Sequence, residues 1–551
     1  MSKKADSRRR TRSEDAGVTE PTDSASFGRA VGERELVVIA YPDAGLRAAD
    51  GEITSVTGAD VSPLAELMLS EGVTLEPLFG LGEDRLILRA AAAAETSGVD
   101  LPDLSVYYRV EAPDARLEEI AERLRGHEAV ETAFIKPPAE PPQFLNDMAP
   151  SVEPAPPATS DFTTRQGYLN AAPGGIDARF AWTRGGGSGM GSRIIDIEGA
   201  WRFSHEDLMQ NQGGVVGGEQ NPNLIWRNHG TAVVGEFSGD RNGLGVTGIC
   251  PDANVRAISV FGDATGWGSA AAIRLAADML SPGDIILIEL HRAGPRLNFQ
   301  PRTDQRGYIA IEWWPDDMAA IRYAVGRGVI VVEAGGNGAE NLDDAIYDVN
   351  PPAPHGPFPA AWRNPFRRNL IDTGAIVVGA GAPPPGTHGR NHGPDRSRLD
   401  FSNHGSMFDV QAWGREVTTC GYGDLQGGGN EDLWYTDQFS GTSSASPIVV
   451  GSLGCVQGIL RAAARPLLTP ARARALFRST GSPQQDGPAG PRTQRIGSRP
   501  DIRQMINSLM PAPPAVTEDK VESLEVKPEG NGGEVIINIS GQVTVNVGVG
   551  G

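Results

Sequence analysis

The sequence predicts an α/β protein whose core is a doubly wound, mainly parallel sheet, preceded by a smaller α+β domain. Two observations carry this. In the second half of the chain, short apolar runs (Ile194–Asp196, Val255–Val260, Ile285–Leu290, Val329–Glu333 and Ile376–Val378) alternate with helical stretches. Runs that are apolar on both faces mark strands covered on both sides, as in parallel sheets between helix layers. Nearer the N-terminus, residues 35–136 repeat a strand–helix–strand pattern twice.

In chain order, residues 1–32 are polar and predicted to be disordered. Within 33–136, Leu36–Tyr41 reads as a strand, Val61–Leu69 as a helix and Thr74–Phe79 as a strand. Leu104–Val110 follows as a strand. The next helix carries Leu117, Ile120, Ala121 and Leu124 at helical spacing, and Val130–Ile135 closes the set. The order β-α-β-β-α-β predicts a ferredoxin-like domain, with residues 80–103 as an extra segment. Residues 137–164 form a Pro-rich linker: eight prolines fall between Pro137 and Ser160, so this stretch is expected to stay extended and outside the core. Residues 165–510 hold the α/β core. Two of its stretches, 292–314 with Trp313 and Trp314, and 346–369, exceed what the sheet needs and are candidates for shaping a cleft. A linker (511–533) leads to 534–551, where two alternating strands about Ser540–Gly541 read as a hairpin. A lone hairpin is marginal in water, so contact with a partner or self-association is expected of it.

A net charge of −20 argues against a general nucleic-acid binder. No run of eighteen apolar residues suggests a membrane span. The basic start, with Arg8, Arg9 and Arg10, is not followed by an apolar stretch of signal-peptide type, and the three cysteines (Cys250, Cys420, Cys455) are too few for a disulfide framework. These features lead to the expectation of a cytoplasmic protein, or of one exported by a route that leaves no such signal.

The chemistry resides in four segments. Gly441-Thr442-Ser443-Ser444-Ala445-Ser446-Pro447 places a hydroxyl where an apolar helix begins, at the positive end of its dipole. Arg193-Ile194-Ile195-Asp196-Ile197-Glu198-Gly199 is an apolar strand carrying a carboxylate. Asn228-His229-Gly230-Thr231 opens a small-residue helix, and Gly328–Gly338 runs from a buried strand into a Gly-rich turn at Asn337. A serine hydroxyl needs an imidazole to take its proton, and the imidazole needs a carboxylate to fix its tautomer. The order Asp196…His229…Ser443 is that of the subtilisin arrangement.

On these segments, residues 165–510 resemble the subtilisin-like serine peptidases (subtilases). Ser204-His205-Glu206-Asp207-Leu208 and the Gly-rich loop from Asn242 to Pro251 are similar to further family stretches. The resemblance implies Ser443 as nucleophile, His229 as general base and acid, Asp196 as the orienting carboxylate and Asn337 as oxyanion donor, helped by the Ser443 backbone amide. It also implies a substrate-binding strand at Glu289, Leu290 and His291 and a second wall at Ala334, Gly335 and Gly336. The ferredoxin-like domain is similar to subtilase propeptides, which implies inhibition of the enzyme by its own N-terminal domain. No cofactor is expected. Calcium is common in the family, yet no loop here has acids at ligand spacing.

Three acids depart from the family pattern: Glu198, Glu289 and Glu333. Glu198, two residues beyond Asp196, faces the same way in an extended strand. The open readings are selection of basic substrate side chains, a shared proton between close carboxylates, or hydrogen bonds to backbone at strand ends. The function expected is that of a serine endopeptidase acting on proteins or peptides. A catalytically silent peptide-binding protein and an acyl-transferring cyclase are the alternatives, with no nucleic acid or membrane as partner.

Overall fold

The structure is a computed structural model that describes residues 33–97, 101–142, 155–262 and 268–510. The expected tail hairpin and the disordered N-terminus lie outside these residues.

The N-terminal region is built from β1 (Glu35–Ala40), α1 (Ser62–Glu71), β2 (Thr74–Pro77), α2 (Glu83–Ser97), β3 (Tyr107–Glu111), α3 (Leu117–Arg125) and β4 (Val130–Lys136). Its antiparallel sheet has the order β2-β3-β1-β4, the ferredoxin-like arrangement. Residues 104–106, expected in the third strand, form a 3-10 turn instead, because the Asp103 side chain accepts from the Ser105 amide. The extra segment 80–103 contributes α2, whose Arg89 pairs with Asp278 of the following domain.

Strand alternation decides how this domain is placed. Leu36, Val38 and Ile135 point to one face and pack under α1 and α3 with Leu64, Met68, Ile120 and Leu124. Val37, Ile39 and Phe134 point to the other face and join the core of the second domain. Phe134 meets Phe358 edge to face at 5.1 Å, in a cluster with Trp313 and Trp362. The stretch 346–369 therefore receives the N-terminal domain: Pro354 accepts from the Ile135 amide at 2.9 Å, and His355 bonds the Ile135 carbonyl at 2.8 Å.

The chain then passes through the two-residue strand β5 (Ala139–Glu140). The second domain contains β6 (Arg193–Glu198), β7 (Gln212–Gly217), α4 (Leu224–Ser238), β8 (Asn254–Ser259), α5 (Ser269–Met279), β9 (Ile285–Ile288), β10 (His291–Ala293) and β11 (Tyr308–Ala310). It continues with α6 (Pro315–Gly326), β12 (Ile330–Ala334), β13 (Ile376–Gly381), β14 (Val410–Trp413) and α7 (Thr442–Ala462). Seven strands form a parallel sheet in the order β14-β13-β12-β9-β6-β8-β7. The fold is a subtilisin-like α/β sheet preceded by an antiparallel α+β region. Strands β7 and β14 had no clear apolar run in the sequence. Helix α7 is long and apolar enough to cross a membrane by composition, but Thr442 to Leu460 are buried as the central helix of the core.

The linker expectation needs correction. Residues 139–142 are buried, and β5 pairs antiparallel with β10, His291 opposite Glu140 and Arg292 opposite Ala139. Prolines bar a residue from an interior strand but not from a short edge pairing, and Ala139 and Glu140 supply the ladder. Phe162 likewise bonds Gly245 by its amide, so the second domain begins before residue 165.

Candidate active site

The site lies at the carboxyl ends of β6, β9 and β12, where α4 and α7 begin. Asn223 caps α4 by accepting the Ile225 amide at 2.8 Å, and His229 falls one turn and a half into that helix. Helix α7 starts at Thr442 beyond Gly441, which has φ +106°. A side chain on Gly441 would collide with the Pro142 carbonyl, at 2.1 Å from a β-carbon, so the close approach of the tail at this point requires glycine. Ser443 thus stands in the first turn of a 21-residue helix.

Strand β6 runs two residues further than its apolar run indicates, and this changes the identity of the histidine's partner. Glu198 Oε2 lies 2.7 Å from His229 Nδ1, both side chains fully buried. Asp196, expected in that place, instead accepts a bond of 2.7 Å from Trp201 Nε1. Two residues of strand span about 6.6 Å, so only the carboxylate at the strand's end reaches α4. The signal was present in Ile197-Glu198-Gly199, an acid at the strand-to-loop junction. Asp196 Oδ1 and Glu198 Oε1 are both buried without a hydrogen-bond donor.

With Nδ1 on Glu198, the neutral imidazole presents Nε2 as its acceptor. Nε2 has no protein partner, and neither has Ser443 Oγ. Burial pushes the His229 imidazole down to about 3 and both carboxyls well above their ordinary range; for Asp196 the neighbouring Glu198 adds to the rise.

Asn337 closes the site from β12. Its Oδ1 accepts from the Thr442 amide (2.9 Å) and hydroxyl (3.1 Å), which aims Nδ2 back toward the cleft. Gly336 donates to Thr442 Oγ1 at 3.2 Å, and Gly335 bonds the Val378 carbonyl. Together with Ala334 they form the buried turn that holds Asn337 and make no hydrogen bond to the tail.

The substrate strand divides. His291 pairs by its backbone with Glu140 and receives the Asn337 amide on Nδ1 at 3.4 Å, while Leu290 lies in the core. Glu289 is fully buried under α7, accepting from Ser446 Oγ at 2.5 Å and lying within reach of Ser443, Asp196 and Glu198. Beside it, Glu236 of α4 is buried with both oxygens unpartnered, and burial followed by the charge of Glu289 raises it. Sequence reasoning missed Glu236, although it lies seven residues, two helical turns, after His229. Glu333 faces Glu312 and the Arg368 side, and burial raises it first. His205 and Asp207 are structural: His205 Nε2 bonds the Trp434 carbonyl at 2.8 Å, and Asp207 accepts from the Val246 amide and the Asn242 side chain. Among the described residues, no group of three or more His, Cys, Asp or Glu side chains is placed to hold a metal ion.

A buried carboxylate–imidazole pair beside a helix-start serine and a cleft-facing carboxamide is the geometry of a serine peptidase. The profile of the subtilase family (Peptidase S8) matches residues 202–497. The chain belongs to the subtilase family. The match takes in His229, Asn337 and Ser443 and begins after Glu198, so the place of Glu198 rests on the structure. Among curated subtilases, subtilisin E of Bacillus subtilis (strain 168) is 25% identical over 272 residues, covering 49% of this chain and 56% of that protein. The major intracellular serine protease of the same strain is 24% identical over 303 residues, covering 52% of this chain and 76% of its own. A solved structure, the epidermin leader peptide processing serine protease of Staphylococcus aureus, is 15% identical with a TM-score of 0.49, covering 88% of this chain and 100% of its own. The subtilase chain described here thus spans little more than half the length of subtilisin E.

Proposed function

We propose that this chain is a serine endopeptidase that hydrolyses peptide bonds through an acyl-enzyme, with Glu198 in the place of the usual aspartate. His229 Nε2 takes the Ser443 proton as Oγ attacks the scissile carbonyl, then gives it to the leaving amine. Glu198 holds Nδ1–H and stabilises the imidazolium. Asn337 Nδ2 and the Ser443 amide, at the start of α7, meet the developing oxyanion. The reading is supported most by the fully buried Glu198–His229 bond of 2.7 Å, which sets the tautomer a base requires. Asp196, on the same strand as Glu198, is a support behind it.

The N-terminal domain is proposed as the enzyme's own inhibitor. Its tail lies in the cleft as a third strand beside β10, and the Pro142 carbonyl reaches Gly441 at the start of α7. In this closed state the tail keeps water from the site, and burial favours the neutral forms of Glu198 and His229. Departure of the tail readmits water and restores the charged carboxylate. Substrates are extended protein or peptide segments that take the tail's place on β10. We place the action in the cytoplasm, in keeping with the relative named as an intracellular serine protease.

The test is the intact mass of the full chain beside Ser443→Ala, each also treated with a serine-reactive phosphonate. Cleavage between residues 142 and 160 in the parent alone, with labelling of Ser443, is expected. Two intact, unlabelled chains would leave the silent peptide-binding reading.

A further inference from the structure

We propose that Gln305 is a positioning residue of the peptidase site, one that carries a backbone carbonyl of the bound peptide and locks the Asn337 carboxamide with the same side chain. The inference rests on the peptidase reading above and deepens it. Gln305 is 5% exposed. Its Nε2 donates to the Pro141 carbonyl at 2.8 Å, and its Oε1 accepts from Asn337 Nδ2 at 3.2 Å. Pro141 immediately precedes the residue whose carbonyl meets Gly441. A glutamine is the side chain that makes both bonds at once, since one end of its amide only donates and the other only accepts.

The consequence for Asn337 follows from counting hydrogens. Its Oδ1 is committed to Thr442, and one Nδ2 hydrogen goes to Gln305. The second hydrogen is left for the oxyanion. Without Gln305 the carboxamide rotor is held at its oxygen end only, so Gln305 pre-aligns the donor whose alignment governs the rate. Because the same amide grips the peptide, an extended substrate tightens the oxyanion donor by binding.

Gln305 is itself held on the turn it serves. Its backbone is left-handed, φ +52°, an uncommon conformation for a side chain of this size. Successive turns fix it: its amide bonds the Arg302 carbonyl, and its carbonyl receives the Tyr308 amide, both at 3.2 Å. The segment is strapped to the Asn337 turn by Gly307 N–H to the Gly338 carbonyl (3.0 Å) and by Asn403 Nδ2, which bridges the Tyr308 and Gly335 carbonyls. A β-carbon on Gly338 would lie 2.1 Å from the Tyr308 carbonyl, so the strap closes only over glycine.

Two variants separate the two bonds. Gln305→Glu retains an acceptor for Asn337 but has no donor for the peptide carbonyl, whereas Gln305→Ala loses both. The first measurement is hydrogen exchange in the full chain carrying Ser443→Ala, which requires no activity. The Ala139 and Glu140 amides are expected to exchange roughly five- to tenfold faster in both variants, the loss of one hydrogen bond, with β12 unchanged as the folding reference. If Gln305→Ala also loosens β12, Gln305→Glu decides. Rates within twofold of the parent in the folded variant overturn the proposal, whatever the fate of the peptidase reading. The second measurement compares processed enzymes on a peptide with three residues before the cleaved bond and on a short ester lacking them. Gln305→Glu is expected to raise KM for the peptide about five- to tenfold more than for the ester, through the lost bond to the peptide carbonyl, whereas any change in kcat from a carboxylate beside Asn337 falls on both substrates alike. An equal change in KM on both substrates means that Gln305 holds no carbonyl of the bound peptide, and overturns the proposal.

Discussion

The two domains treat buried carboxyls differently: in the N-terminal domain Glu71 pairs with Arg116 and Arg123, and Glu83 accepts the Ala48 amide at 2.8 Å. The inner core of the N-terminal domain, between its sheet and helices α1 and α3, is made of Leu, Val, Ile, Ala, Met and Tyr108, whose hydroxyl is satisfied by the Leu46 carbonyl. The second domain buries Asp196, Glu198, Glu236 and Glu289 between β6, β9, α4 and the start of α7, several with oxygens that no donor reaches. Burying a carboxyl without a full set of partners is costly, so a fold retains it only where it serves another purpose. The first domain is thus built for stability, and the second carries its cost at the site. Where the two meet, the charges are paired: Lys136, fully buried, lies 2.5 Å from Asp316 and 3.0 Å from Asp317, and Arg292 lies 2.6 Å from Glu35.

If the costly carboxyl cluster serves catalysis, substitutions there damage rate, while those at the paired seam damage only docking. The largest effect is expected from Ser443→Ala, a loss of about a millionfold in kcat, read by progress curves on a peptide substrate. Asn337→Ala follows, with about a hundred- to a thousandfold loss in kcat and little change in KM. At the seam, Lys136→Met leaves Asp316 buried without its cation and Asp317 with Arg292 alone, at 3.7 Å. It is expected to weaken the closed chain by about 3–5 kcal/mol in urea unfolding, with the processed enzyme's kcat unaffected. A fall in kcat there would blur the contrast between the regions.

The smallest effect sharpens the contrast between paired and unpaired carboxyls. Burial pushes Glu416 up, but His388, His392 and Arg390 outweigh it and hold the carboxyl down to about 2. A carboxyl lowered by folding stabilises fully above its ordinary value near 4.5, and that contribution disappears as the pH falls toward 2. Glu416→Gln should therefore flatten the loss of thermal stability between pH 4.5 and 2. His229 has the same sign for a different reason. Lowered to about 3 by burial, it favours the folded state above its ordinary 6.5 and loses that contribution as the pH falls toward 3.

Much of this architecture was legible in the chain. The apolar runs at Val255, Ile285 and Val329 became β8, β9 and β12 because fully buried strands need no alternation. The ferredoxin-like order survived the insertion of α2. What could not be read depended on where strands end and what lies across space. The apolar run of β6 appeared to stop at Asp196, yet hydrogen bonding carries the strand to Glu198, and a carboxylate two residues along reaches a different helix. Glu289 was placed on the substrate strand by resemblance, but its partner Ser446 lies 157 positions later, so the bond that holds it under α7 could not be read from its neighbours. The tail 139–142 looked like linker because its prolines hide a two-residue ladder. Gln305 offered no signal at all, since its partners Pro141 and Asn337 lie 164 and 32 residues away.

The central claim is that Glu198, and not Asp196, orients His229. The most direct measurement is kcat/KM for Glu198→Gln and Asp196→Asn on one peptide substrate. The account predicts a loss of about ten-thousandfold for Glu198→Gln, which presents the wrong partner to Nδ1–H, and a loss of about tenfold or less for Asp196→Asn. The reverse ranking, with Asp196→Asn nearly inactive and Glu198→Gln close to the parent, would contradict it.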